Sequence, residues 1–223
     1  MTKPGHESLR RRVDAYYTAK IREHGPTAEG VDWNSAASQR LRFDQLLRVL
    51  EPPEGAASVE AGPAGTPSLL DYGCGYGALA DHLDERGEPV RYVGYDLSRE
   101  MLDQARARDP RGTRTFVDSL EGLESCDWAV ASGVLNVKLK TPEQTWASYA
   151  LDVVADLDRC SSRGFAFNAL TSWSDPERMI EELWYPNPAE LFDHCKRSFS
   201  RHVALLHDYG LWEFTILVRK DVA

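Results

Sequence analysis

Apolar positions follow a helical period in the first fifty residues and a strand-and-helix alternation after residue 67. Leu9, Val13, Tyr16, Tyr17 and Ile21 share one helix face, and Phe43, Leu46, Leu47 and Leu50 repeat at i, i+3, i+4 and i+7. Gly25 to Asn34, with Trp33, reads as the loop between two helices. Glu51-Pro52-Pro53-Glu54-Gly55 and Gly62-Pro63-Ala64-Gly65-Thr66-Pro67 then interrupt both patterns, because proline stops helices and glycine favours turns. The division this predicts is a helical cap or lid over 1–50, a flexible connector over 51–67 and a main domain over 68–223.

Within that main domain, short apolar runs at 68–72, 90–95, 113–117, 128–131 and 164–169 read as strands. Ala78 to Arg86 reads as a helix, and Ser98 as the N-cap of another that runs to about Arg108. Thr141-Pro142-Glu143-Gln144 has the form of a capping box with proline at the first helical position. The helix it opens places Trp146, Tyr149, Val153, Val154 and Leu157 on one face. Two short helices follow, capped by Ser174 or Asp175 and by Asn187, and 201–206 and 212–219 read as strands joined by a tight turn at 207–210. Alternating strands and helices predict an α/β fold, a mostly parallel sheet with helices on both faces. The terminal hairpin adds one antiparallel strand.

Charge narrows the partners. The 223 residues hold 26 Lys and Arg against 35 Asp and Glu, a formal charge of -9. An acidic surface repels polyanions, so neither a nucleic acid nor an anionic membrane is expected as partner. No run of about 18 apolar residues is present, and Met1 to Glu7 is polar, so a cytoplasmic protein is expected. Cys74, Cys126, Cys160 and Cys195 are widely spaced, which suits free thiols in a reducing compartment and no metal site. Arg106, Arg108, Arg111 and Arg114 are interleaved with Asp103 and Asp109 and read as a solvated face.

The chemistry concentrates in Leu69-Leu70-Asp71-Tyr72-Gly73-Cys74-Gly75-Tyr76-Gly77-Ala78. An apolar strand runs through three glycines into a helix, whose N-terminus offers free N–H groups to a ligand. Gly73, Gly75 and Ala78 also satisfy G-x-G-x-x-G/A, so a dinucleotide is the first rival. Asp96, 21 residues after Gly75, ends the next strand, where a carboxylate accepts the ribose hydroxyls of any adenosine. Asp71 separates the candidates better. An acid there suits an amine and a sulfonium and repels a pyrophosphate.

These residues resemble the class I S-adenosylmethionine-dependent methyltransferases. Leu70 to Gly77 is similar to their first motif, and Val93-Gly94-Tyr95-Asp96-Leu97-Ser98 to their second. Phe116-Val117-Asp118-Ser119 is similar to their third motif, and Cys126 to Val134 to their fourth. The resemblance spans about 68–219. It implies a Rossmann-like seven-stranded sheet of order 3-2-1-4-5-7-6 with strand 7 antiparallel, and S-adenosylmethionine as cofactor. It places Asp71, Gly73, Gly75, Asp96, Leu97, Asp118, Ser119, Ser132 and Val134 around that cofactor, with Met101 packed on adenine. The cap is expected to cover it, with Tyr16 and Tyr17 closing over the methionyl part and Arg42 meeting its carboxylate.

Methyl transfer from a sulfonium needs positioning and desolvation more than acid-base help. Ligands of an open α/β sheet bind beyond the carboxyl ends of its strands. That rule nominates Asn136 and Lys138, then Asn168, Thr171, Ser172 and Trp173, then His207, Asp208 and Tyr209. His207, Asp208, Asn136 and Tyr17 are the catalytic candidates. The expected activity is N- or O-methylation of a small molecule, of the kind met in specialised metabolism, by a monomer or homodimer. The alternatives are a nicotinamide-dependent oxidoreductase and a cofactor-binding partner subunit without chemistry.

Overall fold

In the computed structural model, residues 6–27, 30, 35–52 and 65–220 are described. The strands are β1 (Ser68–Tyr72), β2 (Arg91–Tyr95), β3 (Thr115–Val117), β4 (Cys126–Ala131), β5 (Ser161–Leu170), β6 (His202–Leu206) and β7 (Glu213–Arg219). The helices are α1 (Glu7–His24), α2 (Ala36–Leu47), α3 (Ala78–Arg86), α4 (Arg99–Ala107), α5 (Glu143–Arg159) and α6 (Pro188–Ser198). Residues 53–64, the greater part of the expected connector, lie outside the described residues, as do 28, 29 and 31–34 of the first loop.

The seven strands form one sheet of order β3-β2-β1-β4-β5-β7-β6. β1 to β5 pair in parallel, and β7 runs antiparallel between β5 and β6. All five residues of β1 and all seven of β7 are buried, as strands covered on both faces must be. Alternation along β1 divides the core. Leu70 and Tyr72 face Trp146, Tyr149, Val153 and Val154 of α5, while Leu69 joins Phe43 and Leu46 of α2 and Leu79 and Leu83 of α3.

Local chemistry explains the helix starts. Ser98 accepts from the Met101 N–H to open α4, and Asn187 accepts from the Ala189 N–H to open α6. The capping box expected at Thr141 does not form: α5 begins at Glu143 behind Pro142, and no side chain caps it. The Thr141 hydroxyl instead accepts from Arg12 of α1 at 3.2 Å. The segment behind Asp175 is a single 3-10 turn, Pro176–Arg178, rather than a helix. β5 is longer than expected, because Ser161, Ser162 and Arg163 extend it ahead of Gly164, with a register shift against β4.

α1 holds the position that matters for function. Its N-terminal Leu9 packs in the α5 core, and its C-terminal Ile21 packs with Tyr76 and Met101 on the other side of the sheet edge. Polar anchors run along and beside it: His6 to Asp152 at 2.9 Å, Arg10 to the Tyr72 hydroxyl at 3.2 Å, Thr18 to the Ser98 hydroxyl at 2.8 Å, and Arg22 to Glu100. The helix therefore crosses the carboxyl edge of the parallel strands.

Candidate active site

Under α1 lies a cavity lined by the residues that follow β1, β2 and β4. The loop after β1 is pinned to the end of β2: the Gly73 and Cys74 N–H groups both donate to the Tyr95 carbonyl, at 2.7 and 2.9 Å. Gly73 holds φ +78°, and a Cβ there would meet Val134 Cγ2 at 2.5 Å. Glycine is thus required both by backbone and by space. Asp96 is held by two backbone donors, Gly75 N–H at 2.8 Å and Ser98 N–H at 2.9 Å.

Three carboxylates line the cavity: Asp14, Asp71 and Asp96. Burial pushes Asp71 up to about 7, against a hydrogen bond from the Tyr92 hydroxyl at 2.7 Å, and the Asp96 charge adds to the rise. Burial likewise raises Asp96 to about 6; its two backbone donors oppose this, and Asp14 across the cavity reinforces it. Acids held in this way favour a cationic ligand. A second sign of a ligand is the hydroxyl of cavity-lining Ser132, which is buried and has no hydrogen-bond partner among the described residues. Leu97 and Met101 supply apolar wall. Glycine loop, acids, orphaned hydroxyl and apolar wall fit a cationic adenosine.

The comparisons with known proteins agree. The profile of a methyltransferase domain matches residues 69–156. A Mycobacterium tuberculosis protein, Rv1506c, named provisionally as a methyltransferase, is 48% identical over 154 residues, which are 69% of this chain and 93% of that protein. This chain belongs to the S-adenosylmethionine-dependent methyltransferases. A second relative, the 18S rRNA (guanine-N(7))-methyltransferase of Mus musculus, is 44% identical over 104 residues, 45% of this chain and 36% of that protein. Among solved structures, magnesium protoporphyrin IX methyltransferase of Synechocystis PCC 6803 with bound S-adenosylmethionine superposes with a TM-score of 0.61. It is 14% identical, with 98% of this chain and 99% of that one covered, and shares the fold. The family assignment replaces the nicotinamide and non-catalytic alternatives.

In this methyltransferase the cavity brings together Asp71, Gly73, Gly75, Asp96, Leu97, Met101, Ser132 and Val134, with Tyr17 in the roof. The other nominated residues stand elsewhere. Asp118 is exposed, 3.7 Å from Arg99, and Ser119 is exposed and accepts from the Glu121 N–H, because β3 is a three-residue edge strand that ends in solvent. Arg42 does not line the cavity either; its guanidinium is buried against Glu213, whose two oxygens accept from its Nε at 2.9 and 2.8 Å.

Asn136 is buried and bonded to two remote segments: its Oδ1 accepts from the Leu170 N–H at 3.2 Å and its carbonyl from the Trp184 N–H at 2.8 Å. His207 and Asp208 do follow β6 at the carboxyl edge. But β6 is four strand spacings from β1, about 19 Å, and neither residue lines the cavity. His207 packs on Trp173 with ring centroids 5.2 Å apart, and partial burial lowers its pKa. Tyr209 bonds to Thr215 at 2.9 Å. The expected acid-base cluster is thus a turn.

Other lining residues were not nominated from the sequence. Tyr72, Tyr95 and Tyr149 line the wall under α1, and Asp14 and Gln39 come from the cap. The tyrosines lie inside apolar runs and read as core. Asp14 carried a usable signal, because it falls between Val13 and Tyr17 on the face of α1 expected to be apolar.

Proposed function

We propose that the enzyme methylates a small-molecule acceptor on nitrogen or oxygen. The observation that carries this reading is the roof. α1 spans the cavity and lines it with Val13, Asp14 and Tyr17, so an acceptor is enclosed rather than read across an open surface. Among the described residues, the cavity's charged side chains are all acidic, which disfavours a polyphosphate backbone beside them.

The cofactor supplies a methyl group already activated on a sulfonium. The chain's own part is to bind, orient and desolvate. When the cofactor binds, Asp96 would accept the ribose hydroxyls, Leu97 and Met101 would hold the adenine, and Gly73 and Gly75 would let the backbone approach the methionyl part. The Ser132 hydroxyl and Asp71 complete the polar lining, and α1 excludes water. Tyr17 lines the cavity from α1 and would close the roof over a bound acceptor. A neutral amine needs no general base, which suits a cavity whose described lining contains no histidine or lysine. We further propose a cytoplasmic monomer or homodimer, with 1–50 as lid, 51–67 as connector and 68–223 as catalytic domain.

A second reading, an RNA acceptor, is favoured by the local identity to the rRNA methyltransferase. Formation of S-adenosylhomocysteine decides between them, measured with small amines, phenols and carboxylic acids and with structured RNA. Turnover with a small acceptor and none with RNA is expected. Turnover on RNA alone would overturn the proposal.

A further inference from the structure

Behind the cavity wall, three buried side chains from three elements form one hydrogen-bonded chain. Asn168 of β5 has no solvent exposure and uses both ends of its amide. Its Oδ1 accepts from the Gly133 N–H at 2.7 Å, and its Nδ2 donates to Glu213 Oε2 at 2.9 Å. Glu213, at the start of β7, in turn accepts from Arg42 Nε of α2, at 2.9 Å and 2.8 Å to its two oxygens. The orientation of the amide is dictated by chemistry. Turned over, it would set NH2 against N–H and oxygen against a carboxylate.

Both ends of this chain reach the cofactor cavity. Gly133 sits at φ 73° between Ser132 and Val134, and all three line it. Arg42 shares α2 with Gln39 and Phe43, which also line it. We infer that Asn168 is a positioning residue for the cofactor: it sets the Ser132–Val134 wall and, through Glu213 and Arg42, fixes that wall relative to α2. Breaking it leaves the sheet standing and loosens two sides of one cavity. A buried carboxylate is tolerated here because Arg42 and Asn168 both donate to it.

The test is Asn168→Asp. It keeps the side chain's size and the acceptor for Gly133, but turns a second carboxylate toward Glu213. The dissociation constant for S-adenosylmethionine, by calorimetry, is expected to rise at least tenfold, with KM for the cofactor following and kcat within threefold of wild type. Adding Glu213→Gln moves the single negative charge to position 168 and gives it a donor again, so affinity is expected to return to within threefold. Ile216→Ala, buried in β7 away from the cavity, is the control that lowers Tm without moving affinity.

Wild-type affinity in N168D, with only a lowered Tm as in the control, would overturn the inference. So would a double variant as weak as N168D. Should N168D not fold, Asn168→Ser, neutral and too short to reach Gly133, is expected to show the same tenfold loss, and wild-type affinity there overturns the inference equally.

Discussion

The carboxylate of Asp96 accepts the Gly75 N–H at 2.8 Å, so one side chain at the end of β2 closes the glycine loop that follows β1. Its other oxygen accepts the Ser98 N–H at the start of α4. Replacing Asp96 with alanine removes the acceptor proposed for the ribose hydroxyls and the tether of the loop together. A hydrogen bond to a charged group contributes about 1.5–3 kcal/mol, so cofactor affinity should fall about 10- to 100-fold. Calorimetry with S-adenosylmethionine measures it, and wild-type affinity in the variant would remove Asp96 from the cofactor site.

The same acids set the pH dependence. Asp71 and Asp96 titrate at about 7 and about 6 in the fold, above the ordinary carboxylate value of 3.8. An acid whose pKa is raised by folding contributes stability that is complete below its unfolded pKa and lost as pH rises through the folded one. The cofactor-free protein should therefore lose stability, read as a falling Tm, between pH 4 and about pH 7. Asp109 and Asp127, whose backbone and hydroxyl donors lower their pKa, lose their contribution only below that window. Cofactor binding runs the opposite way, because a cation favours the ionised acids. Affinity should rise from pH 5 to pH 8, and Asp71→Asn should flatten both profiles. A thermal melt and a titration at four pH values check this, and profiles as steep in the variant as in wild type would count against Asp71.

Gly73 gives a steric prediction with its own rescue. Alanine there needs φ +78° and drives its Cβ onto Val134 Cγ2. The expected cost is about 1–3 kcal/mol, with weakened cofactor binding, because the loop must shift. Val134→Ala in the same chain opens the space but leaves the backbone strain, so it should recover part of the loss. If it recovers none, the Val134 contact is not the limiting one.

The fold was legible because its signals are local and repeat. Ser68–Tyr72, Ala78–Arg86 and the α5 face of Trp146, Tyr149, Val153, Val154 and Leu157 each announce themselves within a dozen residues. The glycine loop after β1 was legible for the same reason, since Gly73, Gly75 and Asp96 have fixed spacing. What failed depended on partners distant in sequence. Arg42 reads as a cation seeking an anion, and it found one 171 residues away in Glu213 rather than in a ligand. His207 stands at the correct edge of the sheet, but the strand order puts β7 and β5 between it and the cavity. Asn136 is polar and well placed, yet its neighbours' backbone groups claim it. A motif reports spacing along one segment, whereas these roles are decided by which remote segment packs alongside.

Tyr17 and His207 therefore make opposite predictions, although both were nominated for catalysis. Tyr17 lines the cavity from α1, packs edge-on against Tyr16 and stands in the cluster of Ile21, Tyr76 and Met101. Tyr17→Ala should open the roof to water and to misplacement of the acceptor, and small misplacements at the reacting atoms cost rate steeply. A loss of about tenfold in kcat/KM for the acceptor is expected, with Tyr17→Phe retaining most of the activity if the ring rather than the hydroxyl matters. His207→Ala removes a ring that touches Trp173 and Phe214 and leaves the cavity lining unchanged. Its turnover should stay within about twofold of wild type, a difference of under half a kcal/mol in the barrier. Steady-state kinetics on the two alanine variants, run side by side with any accepted substrate, decides the pair. A slow His207→Ala beside a normal Tyr17→Ala would move the reacting centre from the cavity under α1 to the end of β6.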